Sequence, residues 1–534
     1  MPGYPRFVPL GRTAWFTVFP AIPRTRDAWL PSFNPFGITP PTRTNSPLIR
    51  VHSRPFAVKL SAVFVPPMSK TLSPLNPYLD IIPLAGVCDF DAACRAGVSV
   101  EENVALLKRF HLLLLRSYFV LLSRIAATPI YEIKMGFSHH TYLLAENITS
   151  LRDRVAEMRE PPFGLDDLPE PVYALFFDEI LSAPSLEETM IGLYRVAFPA
   201  LIDAICTHFQ TTNLLVDQPT VRILKHLTTD LDEVIAWGED ALTKLIAHAG
   251  CQKEATLWIT RFQNYLSSAG GISGQEPRPS SIPGPANSKI PFVYDPVPKR
   301  DSRFKDPFND TFQPEKLLHD PEIPPSTKVL ILLFKRFREI DVPEMMASIL
   351  YETRNQPWKY YADMTRQLWD ETRHALMGEV GLVAKGIDWT RLTIRHIWSY
   401  YLNTRLTPLA RHGVLYSIEK GLMPRTGKRY EWEIAVQAND PLTALFQDYD
   451  WADEVLHARF GRDWYLAAFK TPEEALDFCN PPSGPPVDYQ ALGYTENKDW
   501  WPEFYRYACE ITGIPFCERA IVNHAVTGKA KTLP

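Results

Sequence analysis

A chain of 534 residues, 46% hydrophobic, 12% aromatic and 22% charged, has the composition of a globular protein of two or three units rather than one small module. Its 56 basic residues against 61 acidic ones leave a net charge of −5, which argues against a nucleic-acid partner. Seven scattered cysteines, odd in number and without CxxC spacing, argue against a disulfide framework or a thiolate metal site and point to a reducing cytoplasm.

Residues 1–67 stand apart, rich in Arg and Pro with a single acid, Asp27. Such a stretch cannot form a packed core. The expectation is a disordered extension or a start placed too far upstream of Met68, with an Arg-rich transit peptide as the alternative. From residue 76 to 268 the pattern is helical. Val104, Leu107, Phe110, Leu114, Phe119 and Leu122 recur at helical spacing, a second helix follows Pro129, and others are expected around 186–211 and 219–248. The most apolar run, 112–122, is broken by Arg116 and is too short to span a bilayer, so no transmembrane helix is expected. Residues 269–326 read as a Pro/Gly-rich linker, an ordered strap or tether between units. A second helical region covers 327–469, and a Pro- and Trp-rich tail covers 470–534. The predicted fold class is all-α, with two helical bundles of similar size that suggest an internal duplication.

Two pentapeptides carry chemistry: Asp370-Glu371-Thr372-Arg373-His374 and Asp453-Glu454-Val455-Leu456-His457. Residues at i and i+3 share a helix face, so each D-E-x-x-H offers a carboxylate and an imidazole side by side, suited to iron or manganese. With 13 His and 61 acids in the chain, the pattern is expected by chance only about 0.04 times. A bundle holding two metals adds one Glu from each of two further helices. For the first, the turn at Asn355-Gln356-Pro357 puts the partner of Glu371 near position 341, which selects Glu344 with Glu339 as the alternative. For the second, Glu419 is the acid in the helix preceding the second motif, with Glu431 and Glu433 as alternatives beyond a break. Four carboxylates and two neutral imidazoles balance two divalent cations. A metal-bound His donates its other N–H to a carboxylate, which gives Asp370 the task of orienting His457, and Asp453 that of orienting His374.

The order Glu344, Glu371 with His374, Glu419, Glu454 with His457 resembles the ferritin-like di-metal carboxylate superfamily, which includes di-iron monooxygenases and the radical subunit of ribonucleotide reductase. The resemblance is firm over 329–464. It implies a ferritin-like bundle holding two Fe ions, or Mn with Fe, at Glu344, Glu371, His374, Glu419, Glu454 and His457. By the same resemblance the chain is a non-haem oxidase or oxygenase that activates dioxygen, acts on a small-molecule or carrier-bound substrate and draws on an external electron donor. Competing expectations are an iron-handling ferroxidase or peroxide scavenger, and a structural or interaction protein without turnover. The 76–268 region reads as a degenerate copy: Asp232-Glu233-Val234-Ile235-Ala236 carries Ala236 at the His position, and Glu146-Asn147-Ile148-Thr149 carries Thr149. His139 and His140 lack the ligand spacing. No G-x-G-x-x-G or P-loop is present, so no bound nucleotide is expected.

Overall fold

The computed structural model describes residues 81–159, 165, 171–309, 314–479 and 498–522. The 1–67 extension and part of the C-terminal tail lie outside the described residues. Helices dominate, and no strand occurs among the described residues, so the class is all-α as expected. In chain order the longer helices are α1 (Val100–Ile125), α2 (Tyr131–Glu157), α3 (Pro171–Leu181), α4 (Leu186–Thr211, with a π turn at Ile191–Ala197), α5 (Gln218–Ala249) and α6 (Gln252–Ser268). After the linker come α7 (Pro325–Arg338), α8 (Asp341–Glu352), α9 (Trp358–Ala384), α10 (Ile397–Arg405), α11 (Pro408–Leu422), α12 (Lys428–Gln437), α13 (Pro441–Phe460) and α14 (Trp501–Thr512).

Local chemistry sets the helix ends. Ser99 and Glu102 close a capping box at the start of α1, the Ser99 hydroxyl accepting from Glu102 N at 3.2 Å and the Glu102 carboxylate from Ser99 N at 2.8 Å. Pro408 and Pro441 open α11 and α13 behind Thr407 and Asp440, whose side chains accept from Ala410 N and Thr443 N. The expected turn at 355–357 separates α8 from α9, with Asn355 in the left-handed region at φ 62°. By length and composition α4 is long and apolar enough to cross a membrane, with a mean hydropathy of 1.4 over its most apolar window. The sequence reading missed it by weighing only the 112–122 run. That window is 61% buried inside the protein, and Leu193, Tyr194, Phe198 and Leu201 are sealed in the core, as in the inner helix of a globular protein.

The hub is α9. It runs antiparallel to α2, with Tyr131 OH donating to Glu379 at 2.8 Å, Ser138 Oγ 2.6 Å from Thr372 Oγ1, and Trp358 Nε1 donating to Thr149 Oγ1 at 2.8 Å. Partner numbers rise on one helix as they fall on the other. From α1, Tyr118 OH reaches Thr365 Oγ1 at 2.7 Å. One hydrophobic core runs from Val104 in α1 to Leu415 in α11, and a second joins α7, α9, α12 and α14. Helices from both sides of the linker therefore share a core around α9, and the cores do not divide at residues 269–326.

Residues of the 269–326 stretch bond to helices on both sides of it. Lys299 N donates to Ala126 O at 3.0 Å, Lys134 Nζ to Lys299 O at 2.8 Å, and Asn403 Nδ2 to Pro296 O at 2.9 Å. Arg300 inserts its guanidinium between α8 and the 394–395 carbonyls, reaching Glu344 Oε2 at 2.9 Å.

Candidate metal centre

Antiparallel packing of α9 against α13 sets the two D-E-x-x-H motifs face to face in reverse. His457 Nε2 stands 3.4 Å from Asp370 Oδ2, and His374 Nε2 stands 3.2 Å from Asp453 Oδ2. These are the reciprocal contacts expected for the two aspartates. An Nε2–H given to a carboxylate leaves the Nδ1 lone pair for the interior. Nδ1 of His457 lies 3.2 Å from Glu371 Oε1 and 3.6 Å from Glu454 Oε2. Nδ1 of His374 lies 3.3 Å from Asp450 Oδ1, 3.5 Å from Glu371 Oε2 and 3.7 Å from Glu339 Oε2. Arg373 joins the outer aspartates, donating to Asp370 and, at 2.8 Å, to Asp453. Arg366 adds bonds of 2.9 and 3.0 Å to Asp370.

Two groups of ligand atoms result, each gathered within 4.8 Å: Glu371, Glu419, Glu454 and His457, and beside them Glu339, His374 and Asp450. The first group fits a cation by an independent criterion. Glu371 Oε1, Glu419 Oε2, Glu454 Oε2 and His457 Nδ1 are all buried and make no well-aligned hydrogen bond, His457 Nδ1 and Glu371 Oε1 facing each other at 3.2 Å only as an ion pair of the protonated ring. Leaving four such atoms unpaired in a core is costly unless a cation takes them. Ligand atoms each about 2.1 Å from a common ion, at right angles, stand about 3 Å apart, close to the separations around His457 Nδ1. The donor set of three carboxylates and one imidazole suits iron or manganese.

Of the six ligands expected from sequence, Glu371, His374, Glu419, Glu454 and His457 come together here. Glu344 does not, and this corrects the first of the two added glutamates. Its buried carboxylate is held by Lys134, by Arg300 at 2.9 Å and by Ser399 Oγ at 3.2 Å. Burial would raise its pKa, but Arg300 and Lys134 hold it at about 2. The physical reason is rotation. Glu339 and Glu344 lie at comparable distances on opposite sides of the level of Glu371, about 3 and 4.5 Å by helical rise, yet five residues turn a helix by about 140°, and the chain also breaks between α7 and α8. Glu339, at the C-terminal end of α7, faces His374 instead. We predict that Glu344→Gln lowers stability and leaves metal content unchanged, whereas Glu339→Gln alters the environment of His374 without that loss. Metal analysis beside thermal melts distinguishes them, and loss of metal from Glu344→Gln would contradict the placement.

Glu431 and Glu433 are engaged elsewhere, Glu431 with Lys335 and Glu433 with Arg429 at 2.9 Å. Sequence reading missed Asp450, Lys428 and Arg336. Asp450 had a signal, being four residues before Glu454 and seven before His457 on one helix face. The two cations had none, because α7 and α12 deliver them through tertiary packing. In the N-terminal half, Asp232, Glu233 and Ala236 are exposed. His140 Nδ1 pairs with Tyr194 OH at 2.8 Å, and burial together with His139 holds its pKa down at about 3. Glu132 pairs with Arg303 at 2.7 Å.

Burial opposes charge throughout the centre, and neighbours decide the outcome. Burial pushes the Glu419 carboxyl well above its usual range, reinforced by Glu454 and Glu371. Burial also pushes Glu339 up to about 7 against the pull of Arg336 and Lys428. Burial works against both imidazolium ions, but Asp450, Asp453 and Glu371 push His374 up to about 10, and Asp370, Glu371 and Glu454 raise His457 well above its ordinary value. A metal-free centre thus carries protons that an incoming cation displaces. The raised His374 imidazole adds stability that is fully present below its unfolded value of 6.5 and is lost as pH climbs through about 10, and His457 acts in the same direction. The metal-free chain should therefore melt at progressively lower temperature between pH 6.5 and 10, and a bound divalent cation should flatten that fall. Identical slopes with and without metal would contradict this.

No protein-family model, curated protein or solved structure matches the chain.

Proposed function

We propose that the chain is a metal-dependent oxidoreductase, an oxidase or oxygenase in which an iron or manganese ion is held by Glu371, Glu419, Glu454 and His457. The observation that carries this reading is that Glu371, Glu419, Glu454 and His457 gather one ligand atom each within 4.8 Å of one another, and that each also holds a buried atom without a well-aligned hydrogen bond. Bound there, such a metal supplies the electron transfer to dioxygen that protein side chains do not, with reducing equivalents from an external donor. The chain's own residues prepare that place. Asp370 and Asp453 hold the Nε2 protons of His457 and His374, and so aim both Nδ1 atoms inward. Gln367 Nε2 donates to Glu419 Oε1 at 3.3 Å and fixes the carboxylate whose other oxygen is free. Met364 and Leu368, both fully buried on α9, help keep the surroundings dry. The helices before the strap serve in this reading as a degenerate, metal-free packing partner of α9.

The test is dioxygen uptake by iron-loaded, anaerobically reduced full-length protein, with metal counted per chain. Asp453→Asn is expected to cut uptake about 10- to 100-fold while retaining the ligands, because it loosens His374 without removing a donor. Uptake that requires only free Fe(II) would move the reading to iron handling. No uptake by the loaded, reduced protein, with or without candidate substrates, would move it to a binding or structural role.

A further inference from the structure

Resting on the reading of the first group as a metal site, we propose that Lys428 is the resident second cation of the centre. Its ammonium, with Arg336 beside it, takes the place of a second metal ion, so that each chain holds one divalent ion at Glu371, Glu419, Glu454 and His457 and none at Glu339, His374 and Asp450.

The two groups differ in which atoms remain free. Every member of the first keeps one buried atom without a partner. In the second, only Glu339 Oε2 and His374 Nδ1 do. Asp450, the remaining member, is fully engaged: Lys428 Nζ stands 2.8 Å from its Oδ1 and 2.9 Å from its Oδ2, and Arg336 Nη1 also donates to Oδ1. Arg336 Nη2 stands 2.7 Å from the other oxygen of Glu339. Both cationic side chains are buried, with relative exposure of 0% at Lys428 and at Arg336. They cannot swing out to solvent without opening the fold, so an incoming ion would have to displace an ammonium and a guanidinium from Asp450.

Charge points the same way. Glu339, Glu371, Glu419, Asp450 and Glu454 bring five potential negative charges, and Lys428 and Arg336 already supply two positive ones. A second divalent ion beside these cations would be repelled at short range in a medium of low dielectric constant. Lys428 also contacts Glu454 Oε1 at 2.7 Å, while Glu454 Oε2 is the free atom of the first group. One carboxylate therefore bridges the ammonium and the metal position, much as it would bridge two ions. His374, whose Nδ1 stands 3.3 Å from Asp450 Oδ1, is then a neighbour of the metal position rather than a ligand.

The experiment titrates metal-free, full-length protein with Mn(II) without oxygen, counting bound ions by equilibrium dialysis and recording the electron paramagnetic resonance spectrum at saturation. One ion per chain, with the six-line signal of an isolated Mn(II), is expected. Two ions with a coupled spectrum would overturn the Lys428 assignment and keep the metal reading, whereas no binding would overturn the metal reading itself. Lys428→Met, of similar length and without charge, is expected to admit a second ion and to change the spectrum to a coupled one. A folded Lys428→Met that still binds one ion would overturn the assignment. Should that variant not fold, Asp450→Asn serves instead: it is expected to keep one ion, because Asp450 binds the cations and not the metal, and loss of the bound Mn(II) would overturn the assignment.

Discussion

His457→Ala is expected to abolish metal retention at the Glu371–Glu419–Glu454 group, and dioxygen uptake with it. His457 supplies the only nitrogen in that group, and its Nδ1 is one of the four unpartnered atoms that make the group a complete site. Loss of a partner that merely orients a ligand typically costs about 10- to 100-fold in affinity, so loss of the ligand itself should exceed that. The substitution leaves Asp370 bonded to Arg366 and Arg373, so the outer shell keeps its charge balance. The control is His140→Ala. His140 is comparably buried, at 3% exposure against 1% for His457, but its ring pairs with Tyr194 and faces no carboxylate cluster. It should lower the melting temperature and leave metal content intact. Equal metal loss in both variants would show that disruption of the fold, not of a ligand, explains the effect. Full metal content in His457→Ala would remove His457 from the site.

How far the centre can be read from sequence depends on whether its geometry is local. The i, i+3 spacing of each D-E-x-x-H is a property of one helix, and two such helices packed antiparallel bring each aspartate to the opposite imidazole whatever else surrounds them. Glu419 followed from being the one acid in its helix. Choosing between Glu339 and Glu344 needed helix rotation, and a distance counted along the axis does not contain it. The break between α7 and α8 further uncouples the two residues. Lys428 and Arg336 were illegible for a related reason: a lysine in the first turn of α12 and an arginine near the end of α7 look like ordinary surface charges until α7, α12 and α13 close around Asp450. The interleaving of helices from both sides of the strap was likewise hidden. Hydrophobic period tells which face of a helix is buried but not which helix covers it, and the apolar rows of α1 and α2 turned out to be covered partly by α8 and α9.

Gly378→Ala is expected to be among the most damaging single substitutions in the chain. A Cβ there would fall on the Phe337 backbone nitrogen, 2.6 Å from Phe337 Cα and 2.8 Å from the carbonyl carbon of Arg336. Nothing at that point is the free end of a side chain, so α7 and α9 would have to move apart by more than about 1 Å to restore van der Waals contact. Overpacking a core typically costs about 1 to 3 kcal/mol, and a collision between two helix backbones should lie at or above the upper end. The displaced segment also carries Arg336 and leads into Glu339, while His374 lies one turn before Gly378 on α9. The substitution should therefore disturb the Arg336–Asp450 and Lys428–Asp450 pairs along with the helix contact. Gly381→Ala provides the comparison. Its Cβ would meet the end of the Leu333 side chain, which can turn to another rotamer, so the penalty should be smaller. Denaturant unfolding of both variants measures the difference. If Gly378→Ala proves no less stable than Gly381→Ala, the close approach of α7 to α9 does not set the position of the second group.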